Sequence, residues 1–251
     1  MTLDLSNTNN SSSKIKIKNN HFDFDLFSTP QFAAKYINQR KEDLTALLIS
    51  QMSKGVSTFI NIGAHNGFYD VLVGKSNPNC EIFTFEPVEE NVDILLKNLK
   101  YYGIEANIIQ KAASSDIDIK RFEVSKASDS SGFIANPDFD ILKTININTI
   151  TIDSLISQIA KGSILIKIDA VGGEIAVLEG MKKTIEKFDD IRLIIHFNRK
   201  CLQTNGFMPS DLFSKLDALG FQIHLINDEN RSFSKINNAE DWENLHDEIV
   251  D

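Results

Sequence analysis

The sequence predicts an α/β protein with a mostly parallel central sheet and helices on both faces. Three observations carry that prediction. A short apolar run, Ser57 to Ile62, ends in the small-residue turn Gly63-Ala64-His65-Asn66-Gly67. A second apolar run, Ile82-Phe83-Thr84-Phe85, ends in Glu86, nineteen residues after Gly67. Further on, Ile164-Leu165-Ile166-Lys167-Ile168 is nearly continuous in apolar character, which suits a central strand buried on both faces. Strand, glycine turn, helix, strand and acid is the layout of a nucleotide-binding βαβ unit.

Each element follows from its own signals. Thr29 and Pro30 open a helix carrying Phe32, Tyr36, Leu44, Leu47 and Leu48 at roughly helical spacing, up to Met52. The first strand spans about 57–62, the next helix about 67–76, and Pro78 closes it. After the second strand, about 81–86, Glu89 to Tyr101 buries Val92, Leu95, Leu96 and Leu99, and Gly103 ends that helix. A third strand spans about 106–110. Residues 117–150 form a β-rich insert, with a loop around Ser125 to Phe139 and a half-exposed strand from Thr144 to Ile152. Asp153 caps a short helix carrying Leu155, Ile156 and Ile159. Gly172 and Gly173 open a helix with Ile175, Val177, Leu178 and Met181 on its core side. A fifth strand spans Ile191 to Phe197, a helix starts at Pro209 and ends at Gly220, and a sixth strand spans Phe221 to Ile226. Alternating strands and helices imply a parallel sheet.

The 251 residues fit one domain: a polar, disordered lead-in over 1–25, then a single unit over 26–251. An apolar share of 42% and a charged share of 24% permit a sizeable core. A net charge of −9 disfavours a nucleic-acid backbone binder, which needs a positive field. No apolar run approaches the ~20 residues of a membrane span, and the first residues lack a signal peptide's apolar segment. The expected location is the cytoplasm. Cys80 and Cys201 lack metal-ligand spacing and read as free thiols, and no metal site is expected.

The turn Gly63-x-x-x-Gly67 lacks the middle glycine that a dinucleotide's pyrophosphate requires, so an NAD-dependent oxidoreductase is disfavoured. A turn preceded by the polar Asn61 suits an adenosine cofactor without phosphates, such as S-adenosylmethionine, with Glu86 positioned to hold a ribose. Asp169, at the end of the central strand, is the candidate base or acceptor-positioning group. His196, near the end of the fifth strand, can titrate near neutral pH. Glu174 lies in the first turn of the next helix, where an acid is favourable in any case.

These residues resemble the FkbM family of S-adenosylmethionine-dependent methyltransferases over about 57–197. Asn61 to Tyr69 is similar to the family's Asp-x-Gly-Ala-x-x-Gly-x-Tyr turn, and Phe85-Glu86-Pro87 to its Phe-Glu-Pro. Ala112-Ala113-Ser114-Ser115-Asp116 and Thr151 to Leu155 match two further segments. Lys167 to Gly180 matches the block Lys-x-Asp-x-Glu-Gly-x-Glu-x-x-Val-Leu-x-Gly. The resemblance implies a Rossmann-like methyltransferase fold and S-adenosylmethionine as cofactor. It implies Asn61, Gly63, Ala64, Gly67, Phe68, Glu86, Ala113 and Asp116 as cofactor contacts, with Asp169, His196 and Glu174 as catalytic groups. It also implies O-methylation of a small-molecule or sugar acceptor. The insert and Asn198 to Pro209 are the candidate acceptor lid. Three acids of the family pattern are neutral here: Asn61, Val171, and Ile194 two residues before His196. They motivate an alternative, a methyltransferase-like binding or regulatory module with impaired catalysis.

Overall fold

The computed structural model describes residues 13–18, 22–29, 43–159 and 162–243. Its centre is a five-stranded sheet. In chain order the strands are β3 (Thr58–Ile62), β4 (Glu81–Phe85), β5 (Asn107–Ile109), β9 (Ile164–Ile168) and β10 (Ile191–Ile195). Their spatial order is β10-β9-β3-β4-β5, and every neighbouring pair is parallel. The chain runs outward from β3 through β4 to β5, then returns to continue outward through β9 and β10. This is the Rossmann-like topology, and its strand order reverses between β3 and β9, where α/β sheets take ligands.

Residues alternate between the two faces, as the pleat requires. Ile60, Ile62, Phe83, Phe85, Ile164, Ile166 and Ile168 enter one core, under α4 (Glu174–Glu179), α5 (Lys182–Lys187), α7 (Pro209–Ala218) and α8 (Ala239–Glu243). Phe59, Ile82, Leu165 and Ile194 enter the other, under α1 (Asp43–Ser53), α2 (Phe68–Ser76) and α3 (Glu89–Tyr102). The predicted strands and helices of the sheet therefore form close to their expected bounds. Gly103 ends α3 in the left-handed region at φ 62°, donating to the carbonyls of Leu99 and Lys100. Pro78 does follow the end of α2, and the Asn77 side chain adds bonds to the carbonyls of Ser53 and Val56.

Several expectations are corrected. The sixth strand shortens to β11 (His224–Asn227) and leaves the main sheet; it pairs antiparallel with β12 (Ser232–Lys235). The helix after Gly173 is split into α4 and α5, because the Gly180 amide closes the last turn of α4 on Ala176 and Val177 while Met181 departs from helical geometry. Asp153 does not cap its own turn; the Thr151 side chain does. Asp153 instead accepts from Lys183 N, Thr184 N and Thr184 Oγ1, so it caps α5 from 31 residues away. Only Asp43–Ser53 of the first predicted helix is described; Phe32 and Tyr36 lie outside the described residues. Asp228 binds the first described turn of α1 through Leu44 N and Thr45 Oγ1.

Within the stretch expected to be a disordered lead-in, β1 (Ser13–Lys18) pairs antiparallel with β2 (Asp23–Ser28). The hairpin is stable because α3 replaces a missing neighbour strand. Asn98 accepts from Phe27 N at 2.6 Å and donates to Phe27 O at 2.9 Å. Tyr102 Oη does the same for Asp25 N and O, at 2.9 and 2.7 Å. The 117–150 insert contains β7 (Ile119–Ser125) and β8 (Ile141–Ile150), an antiparallel pair; β8 also pairs parallel with β6 (Ala112–Ala113).

Asn98 is fully buried and its amide nitrogen also donates to Asn66 O at 2.7 Å, inside the glycine turn. Asn98→Ala strands Phe27 N, Phe27 O and Asn66 O together, and should cost about 3 kcal/mol in urea unfolding, since buried unpaired groups cost roughly 1–3 kcal/mol each. A loss below about 0.5 kcal/mol would contradict the wiring of the hairpin to the turn.

Candidate functional site

The site is built where β3, β4 and β9 end side by side. After Ile62 the chain turns at Gly63, which has φ 77°. A Cβ at Gly63 would lie 2.0 Å from the carbonyl oxygen of Asp169, so the turn can pass the end of β9 only with glycine. The amides of Gly63 and Ala64 both donate to Phe85 O at 3.0 Å, tying the turn to β4. Gly67, at φ 78°, is the residue before α2 and donates to Ala64 O at 2.9 Å.

Glu86 is buried against this turn. Its Oε2 accepts from His65 N at 2.8 Å; its Oε1 accepts from Val88 N at 3.0 Å and Asn91 Nδ2 at 3.1 Å. Desolvation raises its carboxyl above the usual range, these bonds oppose the rise, and Asp169 adds to it. Asp169 continues the parallel ladder: its amide donates to Ile62 O at 3.0 Å. His196 extends it once more, donating from its amide to Ile168 O at 2.8 Å. Asp169, Glu86 and Glu174 therefore share one electrostatic neighbourhood, with His196 acting on Glu174.

The turn after β9 is strained. Val171 has φ 47°, a left-handed conformation that β-branched residues avoid. Glu174 holds that turn, its Oε1 accepting from Ala170 N at 3.2 Å and Gly172 N at 3.1 Å. Glu174 Oε2 is buried with no hydrogen-bond partner among the described residues. Desolvation, the largest cause, pushes Glu174 up to about 7, and Asp169 pushes in the same direction against the backbone bonds and His196.

The insert reaches over this end of the sheet. Gly132 lies against Val171, and a Cβ on it would sit 3.2 Å from Val171 O. Lys200, on α6 (Arg199–Thr204), pairs with Asp138 of the insert at 3.0 Å. On the other side Lys143 of β8 pairs with Glu90 in the first turn of α3.

Other predicted residues lie elsewhere. Phe68 stacks on Phe24 of the N-terminal hairpin, with ring centroids 5.6 Å apart. Ala113 is buried in the β6–β8 pair. Asp116 is exposed and ion-paired with Lys120, which lowers its carboxyl below the usual range.

Asn61 is fully buried, and its Nδ2 donates to Asp70 Oδ2 at 2.8 Å. Asp70 also accepts from Thr84 Oγ1 at 2.7 Å. Burial raises Asp70 to about 6, while Thr84, Asn61 and Lys167 pull it down. Sequence reasoning missed both Asp70 and Lys167 as site residues. The available signal was a charge inside each apolar pattern: Asp70 within Phe68 to Val73, and Lys167 within a strand otherwise made of Ile and Leu.

A family model described as the methyltransferase FkbM domain matches residues 61–223. No curated protein matches the chain. Among solved structures, the chain is similar to the plantazolicin methyltransferase BpumL in complex with SAH, at 13% identity over 76% of this chain and 70% of that one, with a TM-score of 0.41. It is similar to a putative O-methyltransferase from Nostoc punctiforme, at 13% identity over 82% and 57%, with a TM-score of 0.43. A precorrin-6y C5,15-methyltransferase from Geobacter metallireducens matches at 12% identity over 76% and 82%, with a TM-score of 0.40. These likenesses are too distant to carry chemistry to this chain.

The raised Glu174 sets a pH dependence. The folded carboxyl holds its proton more tightly than the unfolded one, at about 7 against 4.5. Stability from this group is thus greatest at low pH and falls as pH rises from the unfolded value through about 7. Thermal unfolding of Glu174→Gln across about pH 4 to 8 should show that decline reduced by about 1–3 kcal/mol. An unchanged slope would contradict the burial of the Glu174 carboxyl.

Proposed function

This chain belongs to the FkbM methyltransferase family, and on that premise we propose that it transfers a methyl group from S-adenosylmethionine to an oxygen of a small-molecule or sugar acceptor. The observation that carries the reading is the meeting of the glycine turn, Glu86 and Asp169 at the ends of three adjacent parallel strands. The residues suit the cofactor. Asn61 Oδ1 is a buried acceptor with no partner among the described residues. Such an acceptor matches a cofactor ammonium. Among the described residues Glu86 Oε2 carries a single bond, from His65 N, and retains acceptor capacity for a ribose hydroxyl.

When bound, S-adenosylmethionine supplies a sulfonium-activated methyl group. The remaining work is positioning and proton handling. Asp169 is partly exposed and is anchored by Lys167 Nζ at 2.8 Å. It accepts the proton that the acceptor hydroxyl loses as the new C–O bond forms. His196 stands beside it just past the end of β10 and favours the ionised form of Glu174. The arch of the insert, from Glu90 to Lys200, encloses the acceptor and excludes water. Its ion pairs are exposed and worth about 0–1 kcal/mol each; the insert is held mainly by the apolar cluster of Phe122, Val124 and Ile147 with Val88 and Ala112.

A second reading, a binding or regulatory module without turnover, is favoured by Val171. A hydrocarbon side chain there neither takes a proton nor holds a cation.

Calorimetric titration with S-adenosylmethionine and S-adenosylhomocysteine tests the cofactor, and no heat at millimolar ligand would overturn both readings. Glu86→Ala should weaken S-adenosylhomocysteine binding by about 1–3 kcal/mol, roughly 5- to 150-fold. Unchanged affinity in a folded variant would remove the ribose assignment. Transfer of labelled methyl to a panel of hydroxylated acceptors separates the readings. Asp169→Asn should lower turnover about 100-fold or more while cofactor affinity stays within about threefold. Binding without turnover across the panel would leave the module.

A further inference from the structure

Three buried polar residues form one row across the sheet, on the face that α2 covers. Lys167 of β9 is the Cα partner of Asn61 on β3, and Asn61 is the partner of Thr84 on β4. They are 4%, 0% and 0% exposed, so water does not solvate the ammonium. The apolar row behind them, Leu165, Phe59 and Ile82, shows that polarity is confined to one layer. On its far side Lys167 is opposite Ile194 of β10. Neither flanking strand therefore supplies a charge at this level.

The charge comes from the helix. Asp70, fully buried in the first turn of α2, takes Asn61 Nδ2 on one carboxylate oxygen and Thr84 Oγ1 on the other. Tyr69, its neighbour, lies under Lys167 Nζ, 4.8 Å from ring centroid to nitrogen. Lys167 Nζ in turn binds Asp169 Oδ2 at 2.8 Å. An ammonium buried without a counter-charge costs several kcal/mol. Asp169 supplies one counter-charge from a side chain that is 25% exposed, and the fully buried Asp70 supplies a second carboxylate to the row.

We infer that Asp70 is a positioning residue of the methyl-transfer site. It places a carboxylate over the polar row beneath the glycine turn and orients Asn61, whose Oδ1 the cofactor reading assigns to the ammonium, through a reciprocal amide–carboxylate pair. The two partners meet side chain to side chain, so the pair can be inverted between strand and helix with its hydrogen bond intact. The neutral residue at the end of β3 is then no loss of acid from the site; the acid stands on α2. The inference rests on the cofactor reading above for its functional readout.

The test is a double-substitution cycle in the full chain. N61D, D70N and N61D/D70N are compared by thermal midpoint and by titration with S-adenosylhomocysteine at about pH 8, where both carboxyls are driven to ionise. N61D sets two carboxylates against each other and should weaken binding about tenfold or more. D70N leaves two amides facing and removes the carboxylate that Asn61 and Thr84 bind, with a similar or larger loss. The swapped pair should recover the wild-type affinity to within about threefold and restore the midpoint. Additive losses in the swap, or N61D binding as tightly as wild type, would overturn the inference. If D70N fails to fold, recovery of folded protein by the swap supports the pairing, and failure of the swap to fold overturns it. Thr84→Val then gives the milder probe, with an expected loss of about threefold or more; no change would count against Asp70. Wild-type protein that does not bind S-adenosylhomocysteine sinks the cofactor reading instead. The thermal cycle would still decide whether the pair is coupled.

Discussion

The site depends on one close approach. The chain leaves β3 at Gly63 with its backbone against the carbonyl of Asp169, at a distance that no Cβ could share. That contact closes the end of β9 against the turn and aims the amides of Gly63 and Ala64 at Phe85 O. With the turn pinned between β4 and β9, Glu86 reaches His65 N and Asp169 faces the same space. A larger residue at Gly63 would push the turn away from β9 and undo these contacts together.

Electrostatics at the site is a balance of buried charges rather than a set of isolated acids. Glu86, Asp70 and Glu174 are each desolvated and each held by hydrogen bonds: the first by the turn, the second by Asn61 and Thr84, the third by the strained loop at Val171. Lys167 lies among them and binds Asp169. Neutral residues at 61 and 194 therefore need not mean a disabled site. The register sets both beside Lys167, and the carboxylate over that row comes from α2.

Support for the turn also comes from outside the sheet. Asn98 bonds both Phe27 and Asn66 O, while Phe68 stacks on Phe24. The N-terminal hairpin thus braces the first turn of α2. Phe68 was legible as an aromatic beside the glycine turn. Its partner was not, because Phe24 lies within residues 1–25, which read as a polar lead-in. An edge hairpin of that kind gains its stability from side chains on α3 that mimic a neighbouring strand. Such pairing leaves no periodic trace.

The sequence by itself determined the sheet. Continuous apolar runs specify β3, β4 and β9, because strands buried on both faces have no polar side to alternate with. The glycine turn, Glu86, Asp169 and Gly103 were readable because backbone geometry or a strand end demands those residue types. What only the tertiary structure decided was pairing across long separations. Asp153 caps α5, Asp228 serves α1, and β11 leaves the sheet for β12. Asp70 belongs to this second group. Its one local mark, a charge within the apolar run Phe68 to Val73, is equally that of an acid favouring a helix N-terminus. Its partners, Asn61 and Thr84, lie on two strands and become its neighbours only when α2 packs onto the sheet.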